Sequence, residues 1–143
     1  MDFIAKCFSE LSTRELYEIL KSRSEIFMGE ENIICQDMDD VDYHALHCFF
    51  YDGKRVQAYL RAYQTGNETV SIGRVLTLSH GKGLGRAIMN EGMSAIKKHF
   101  VCKKLSLHAQ KHAESFYEKM GFRTVSDEFL EEGVLHVTME MDA

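Results

Sequence analysis

The chain has 143 residues, 45% of them hydrophobic, enough for one core in a single domain spanning residues 1–143. Its 22 acidic residues outnumber 17 basic ones, a formal net charge of −5, which argues against a general nucleic-acid surface because such surfaces work by neutralising phosphates. No apolar run nears the roughly 18 residues of a membrane span, the start "MDFIAKCFSE" has no signal-peptide pattern, and four scattered cysteines without a CxxC pair suit free thiols in a reducing cytoplasm.

Residues 3–8, "FIAKCF", alternate and read as a first strand. A helix follows in "LSTRELYEILKSRSEIF", opened by Ser12 and Glu15 at capping-box spacing, with Leu16, Ile19, Leu20 and Phe27 on one face. Arg23 falls on that same face, where an arginine either snorkels or is paired at the core edge. An acidic loop, "GEENIICQDMDDVD", comes next. "LHCFFYDGKRVQAYLRAY" is a hairpin turning at Asp52-Gly53, and Thr65-Gly66-Asn67 leads into the strand "ETVSIGRVLTL". Leu84 to Phe100 forms a helix, "KKLSLHA" a strand, and "AESFYEKM" a short helix stopped by Gly121. "FRTVS" and "VLHVTMEM" are the last strands. An antiparallel hairpin followed by strand–helix–strand–helix–strand specifies a mixed α/β sheet.

The chemistry concentrates where "TLSHGKGLGRAIMNEG" joins a strand to a helix, with Gly81, Gly83 and Gly85 alternating and Lys82 and Arg86 among them. Glycine lets backbone approach an anion closely, and the first helical N–H groups point at it with the helix dipole behind them. A P-loop would need GxxxxGK[ST], but Gly83 follows Lys82, leaving no hydroxyl for magnesium. A dinucleotide fingerprint would need GxGxxG and a downstream acid, but the third glycine is one residue early and the downstream region reads "CKKL".

His80-Gly81-Lys82-Gly83-Leu84-Gly85 resembles the [RQ]-x-x-G-x-[GA] motif of the GNAT superfamily of N-acetyltransferases, with His80 in the first position. Downstream, "AQKHAESFYEKMGF" (109–122) is similar to that family's N-x-x-A-x-x-F-Y-x-x-x-G-F pattern, with Gln110 in the asparagine position. "LYEILKSRSEIF", "QDMDDVD", "VSIGRV" and "EFLEEGVLHVTM" stand in the order found in its ElaA-like subfamily. The stretch from Val75 to His80 is about two residues shorter than in those relatives. The resemblance implies an α/β fold in which a mixed, mostly antiparallel sheet is splayed at two central parallel strands and flanked by helices.

It further implies acetyl-CoA as acyl donor, lying between "IGRVLTL" and "KLSLHA", and direct attack by an amine through a tetrahedral intermediate. Backbone groups of Leu76, Thr77 and Leu78 would pair with the pantetheine arm as an added strand does, an N–H near Leu76 polarising the thioester carbonyl. The loop His80, Gly81, Lys82, Gly83, Leu84, Gly85 and Arg86 would hold the pyrophosphate. Gln110, Ala113, Phe116 and Tyr117 complete the implied cofactor contacts. Tyr117 takes the family's general-acid position, where it would hydrogen-bond the developing thiolate; as a plain residue it is a core aromatic beside Phe116. For the base, His136, Glu30 and Glu132 are candidates and His108 a weaker one, with desolvation of the amine and no enzymic base as the remaining option. An acyl-CoA-binding regulatory module without turnover is the first alternative reading, and a protein-interaction domain without a cofactor is the second.

His44 and His47 stand three residues apart beside Asp39, Asp40 and Asp42, but a strand starting near Leu46 argues against helical metal-ligand geometry, and no metal is expected. Glu30, Glu31, Asp37, Asp39, Asp40 and Asp42 would give a negative field able to steer a cationic acceptor, such as a lysine, peptide amine or polyamine. Homodimers are common in the superfamily, which makes a second copy a candidate partner.

Overall fold

In the computed structural model, which describes residues 1–143, alternating apolar positions build β1 (Asp2–Cys7), β2 (Leu46–Tyr51), β3 (Val56–Gly66) and β4 (Thr69–Thr77), adjacent and antiparallel. The turn between β2 and β3 forms where Asp52 accepts hydrogen bonds from the Lys54 and Arg55 amides, at 2.8 and 2.6 Å, while Gly53 takes φ 91°. β5 (Lys104–Gln110) lies parallel to β4, and β6 (Arg123–Thr124), β7 (Phe129–Glu131) and β8 (Val134–Asp142) complete the sheet. The order is β1-β2-β3-β4-β5-β8-β6, with β7 also paired to β8. Every pairing but β4–β5 is antiparallel, so the expected mixed sheet with a central parallel pair is present.

α1 (Thr13–Arg23) starts at the predicted capping box, in which the Ser12 hydroxyl accepts from the Glu15 amide at 3.0 Å and the Glu15 carboxylate from the Ser12 amide at 2.8 Å. It passes directly into π-helical turns at Ser24–Glu30, with Glu31 as their C-cap. α2 (Leu84–His99) makes the crossover that parallel strands require, and α3 (Glu114–Lys119) follows β5.

One sheet face packs Ala58, Leu60, Leu105 and Leu107 against Ile88, Met89 and Ile96 of α2 and Tyr117 of α3. The opposite face packs Phe49, Tyr59 and Leu76 against Ile19 and Ile26. α2 lies very close to β3, since a Cβ on Gly92 would sit 2.6 Å from Leu60 Cδ2. "FRTVS" supplies only two strand residues, and the β7–β8 hairpin turns at Glu132-Gly133, where both residues have positive φ, 49° and 76°. No helix is long and apolar enough to cross a membrane.

Candidate active site

The parallel pair holds together only from Thr69↔Lys104 to Ile72↔Leu107. Beyond that, β4 and β5 pair on their outer sides alone, Leu76 with Tyr59 and Gln110 with His136. The strands part at a bulge: Gly73 to Leu76 spans one residue more than the opposing Arg61 to Tyr59, and Arg74 sits at φ 54°. The Leu78 amide donates to the Gln57 carbonyl at 2.9 Å. Strand alternation turns the Leu76 amide the same way, toward β3, and presents the Val75 and Thr77 amides to the opening.

The bulge is tied down by charge. Arg74 donates from Nε to Asp37 Oδ1 at 2.8 Å and from Nη2 to the Asp37 carbonyl at 2.9 Å. Asp37 Oδ2 also accepts from Arg23 Nε at 2.9 Å, and Arg23 Nη1 reaches Asp42 Oδ1 at 2.7 Å. Arg61 grips both oxygens of Asp39, at 2.8 and 2.7 Å, holding that carboxyl down at about 2. Arg23 is thus fully buried and paired, where the sequence left snorkelling open. The acidic loop needs a matching correction. Asp37, Asp39 and Asp42 are spent on three arginines, leaving Glu30, Glu31 and Asp40 as its outward charges. His47 is occupied as well, accepting from the Tyr59 hydroxyl at Nδ1 (2.7 Å) and donating from Nε2 to the Asp42 carbonyl (2.9 Å).

At the wide end of the opening, Gly81 and Gly83 adopt φ 73° and 74°, conformations that disfavour a side chain, and Gly83 caps α2. The first intrahelical bond runs from the Ala87 amide to the Gly83 carbonyl at 3.1 Å. The amides of Leu84, Gly85 and Arg86 precede it and have no helical acceptor. Lys82 and Arg86 are exposed beside them. A Cβ on Gly85 would lie 3.4 Å from Phe116, so the two sequence motifs meet where α2 presses on α3.

Tyr117 lies under this junction, nine-tenths buried, with edge-on contacts to Phe116 and Phe122 at 5.1 and 6.0 Å. Burial, then the nearby Glu31 charge, push its phenol up to about 12. Ala113 is half-buried against the same core. Glu30 Oε1 accepts from His80 Nε2 at 2.6 Å, and Glu31 Oε1 accepts from Gln110 Nε2 at 2.8 Å. These adjacent carboxylates therefore span the mouth, one bonded to the β4 side and one to the β5 end.

His136 is buried on β8, donating from Nδ1 to the Val134 carbonyl at 2.8 Å and stacking on Phe129. Its Nε2 lies 3.6 Å from Glu131 Oε2, while Glu131 Oε1 accepts from His108 Nδ1 at 2.8 Å. Glu132 occupies the exposed hairpin tip. Sequence reasoning missed Glu31 and Glu131 as partners of these groups, because Glu31 and Gln110 are 79 positions apart. The only available signal was the Glu30-Glu31 doublet at the end of the first helical pattern.

A strand-parting bulge, a glycine turn into α2 and a buried tyrosine on α3 define an acyl-CoA-type transferase fold. Residues 27–143 match the family model described as acetyltransferase (GNAT) domain, and the chain belongs to that family. Within it, the chain groups with ElaA of Escherichia coli, 31% identical over 137 residues that cover 92% of this chain and 90% of ElaA. The ElaA crystal structure superposes with a TM-score of 0.89 over 97% of both chains, at 30% identity. An acyl-CoA N-acyltransferase from Pseudomonas aeruginosa gives 0.90 at 28% identity, covering 98% of this chain and 99% of its own. An aminoglycoside 6'-N-acetyltransferase complexed with coenzyme A shares the fold alone, at 12% identity and a TM-score of 0.74 over 97% of this chain and 96% of its own.

Proposed function

We propose that this GNAT acetyltransferase uses acetyl-CoA to acetylate a primary amine by direct transfer. The observation that carries this reading is the parting of β4 from β5 beside the unbonded first-turn amides of α2. The substrate's pantetheine arm fits as a short strand along Val75 to Leu78, with the Val75 and Thr77 amides facing it. The Leu84, Gly85 and Arg86 amides suit its pyrophosphate, with His80, Gly81, Lys82 and Gly83 completing the turn. Gln110, Ala113 and Phe116 line the far side of the same opening.

In this reading Tyr117 serves the departing sulfur. With its phenol near 12, full proton transfer to a thiolate of ordinary pKa is uphill by about 5 kcal/mol, so Tyr117 donates a hydrogen bond and keeps its proton. The outward carboxylates Glu30 and Glu31 favour a cationic acceptor. His136 and Glu30, the sequence's base candidates, each have a polar partner already, Val134 and His80. Four free thiols, Cys48 among them buried, suit a reducing, cytoplasmic setting.

Thermal denaturation with acetyl-CoA tests the donor assignment. At one hundred times its dissociation constant the ligand adds about 2.7 kcal/mol, raising the melting temperature by several degrees. An unchanged melting temperature at millimolar acetyl-CoA contradicts the reading.

A further inference from the structure

We infer that Glu31, a residue outside both sequence motifs, is the carboxylate that takes the acceptor's proton during acetyl transfer. The inference rests on the acetyltransferase reading above and adds a catalytic residue to it.

The geometry of the mouth carries it. Glu31 is exposed at the end of the π-helical turns, free to meet an incoming amine. It is not loosely placed, because Gln110 Nε2 donates to its Oε1 at 2.8 Å. Gln110 is itself oriented by His112, whose Nε2 donates to Gln110 Oε1 at 2.7 Å. The chain His112 to Gln110 to Glu31 thus fixes which way the amide faces and leaves Glu31 Oε2 open. Glu31 also lies close enough to Tyr117 for its charge to act on the phenol. Its bond to Gln110 thus holds the carboxylate at the β5 end of the opening beneath which Tyr117 is buried. Neighbouring Glu30 is engaged by His80 on the β4 side. His136 turns its open Nε2 toward Glu131, away from this point.

The neutral amine's lone pair forms the C–N bond at the thioester carbon while the carbonyl π pair moves to oxygen, leaving nitrogen positively charged. Glu31 Oε2 accepts one proton from that nitrogen. The oxygen pair then re-forms the carbonyl as the C–S bond breaks, and the departing pair stays on sulfur, hydrogen-bonded by Tyr117. The proton on Glu31 passes through water to the sulfur, so amide and thiol leave and the carboxylate is restored.

The test uses the full chain with acetyl-CoA and a panel of butylamine, spermidine and Nα-acetyl-lysine methyl ester, following thiol release. Glu31→Gln should lower kcat at least a hundredfold, within the range general-base catalysis supplies, while the acetyl-CoA thermal shift stays that of wild type. Glu31→Asp should recover part of the rate, which a merely structural role would not give. Glu31→Gln turnover within threefold of wild type overturns the assignment, as does a Glu31→Gln variant that has lost its acetyl-CoA thermal shift. If wild type itself turns over no amine in the panel, the acetyltransfer reading falls and Glu31 falls with it.

Discussion

At the residue scale, Tyr117 shows how environment divides a role. Its motif position points to a general acid, but burial and Glu31 hold its proton too tightly for early transfer. Under the proposed mechanism, Tyr117→Phe removes only a hydrogen bond to the departing sulfur. It should lower kcat by roughly ten- to a hundredfold, as one lost donor to a developing charge does, with the acetyl-CoA dissociation constant changed less than threefold. Steady-state kinetics with calorimetry checks both values, and an equal loss in binding would assign Tyr117 to holding the cofactor. The place of Tyr117 on α3 beside Phe116 was legible from letters because the motif is local in sequence. The bonding of Glu31 was not, since Gln110 and Tyr117 are brought to it by the β5 end and α3. The acidic loop misled for a related reason. Counting Asp37, Asp39 and Asp42 as free charge ignored Arg23, Arg61 and Arg74, which arrive from α1, β3 and β4.

At the element scale, α2 must lie flat enough on β3 to aim its first turn at the opening. Gly92 allows that approach, since a methyl group there would meet Leu60 at Cδ2, Cδ1 and Cγ within 3.2 Å. Leu60 is fully buried and has no free side to yield toward. Gly92→Ala should therefore destabilise the fold by about 1–3 kcal/mol, the usual range for overpacking. Adding Leu60→Ala should make the pair less harmful than the sum of the single changes, a coupling that denaturant unfolding measures directly. Additive losses would mean that α2 shifts rather than collides. Most elements were legible because their periodicity is strong, as in α1 with its capping box and the β2–β3 hairpin at Asp52-Gly53. β7 was not, because three residues ending in Glu131 carry too little alternation, and its turn needs positive φ at Glu132 as well as at Gly133. The bulge at Arg74 was equally silent, its side chain being held by Asp37 from the loop 37 positions earlier.

At the scale of the whole molecule, the polar core beneath the bulge couples stability to acidity. Burial lowers the His47 pKa below its ordinary 6.5, and the neutral ring bridges Tyr59 and Asp42. A depressed folded pKa means the unfolded chain binds more protons. The contribution is therefore complete above about pH 6.5 and is lost as pH falls through the folded value. Asp39, held near 2 by Arg61, adds a second loss as pH drops from 3.8 toward that value. Melting temperature should thus decline in two stages on acidification, and His47→Gln should flatten the first without touching the second. The mixed sheet and its splayed parallel pair were implied by the resemblance that the two motifs carry, whereas the strand order shows only in the folded chain. The ion network beside the bulge emerges only when the chain is folded, because its six charged residues come from four separate segments. The most direct measurement of what the molecule does is mass spectrometry of a broad primary-amine panel incubated with acetyl-CoA and the purified chain. Acetyltransfer requires at least one amine to gain a single acetyl group with stoichiometric release of free CoA thiol. Bound acetyl-CoA with every amine unmodified and no thiol released would contradict it, leaving an acyl-CoA-binding module in place of an enzyme.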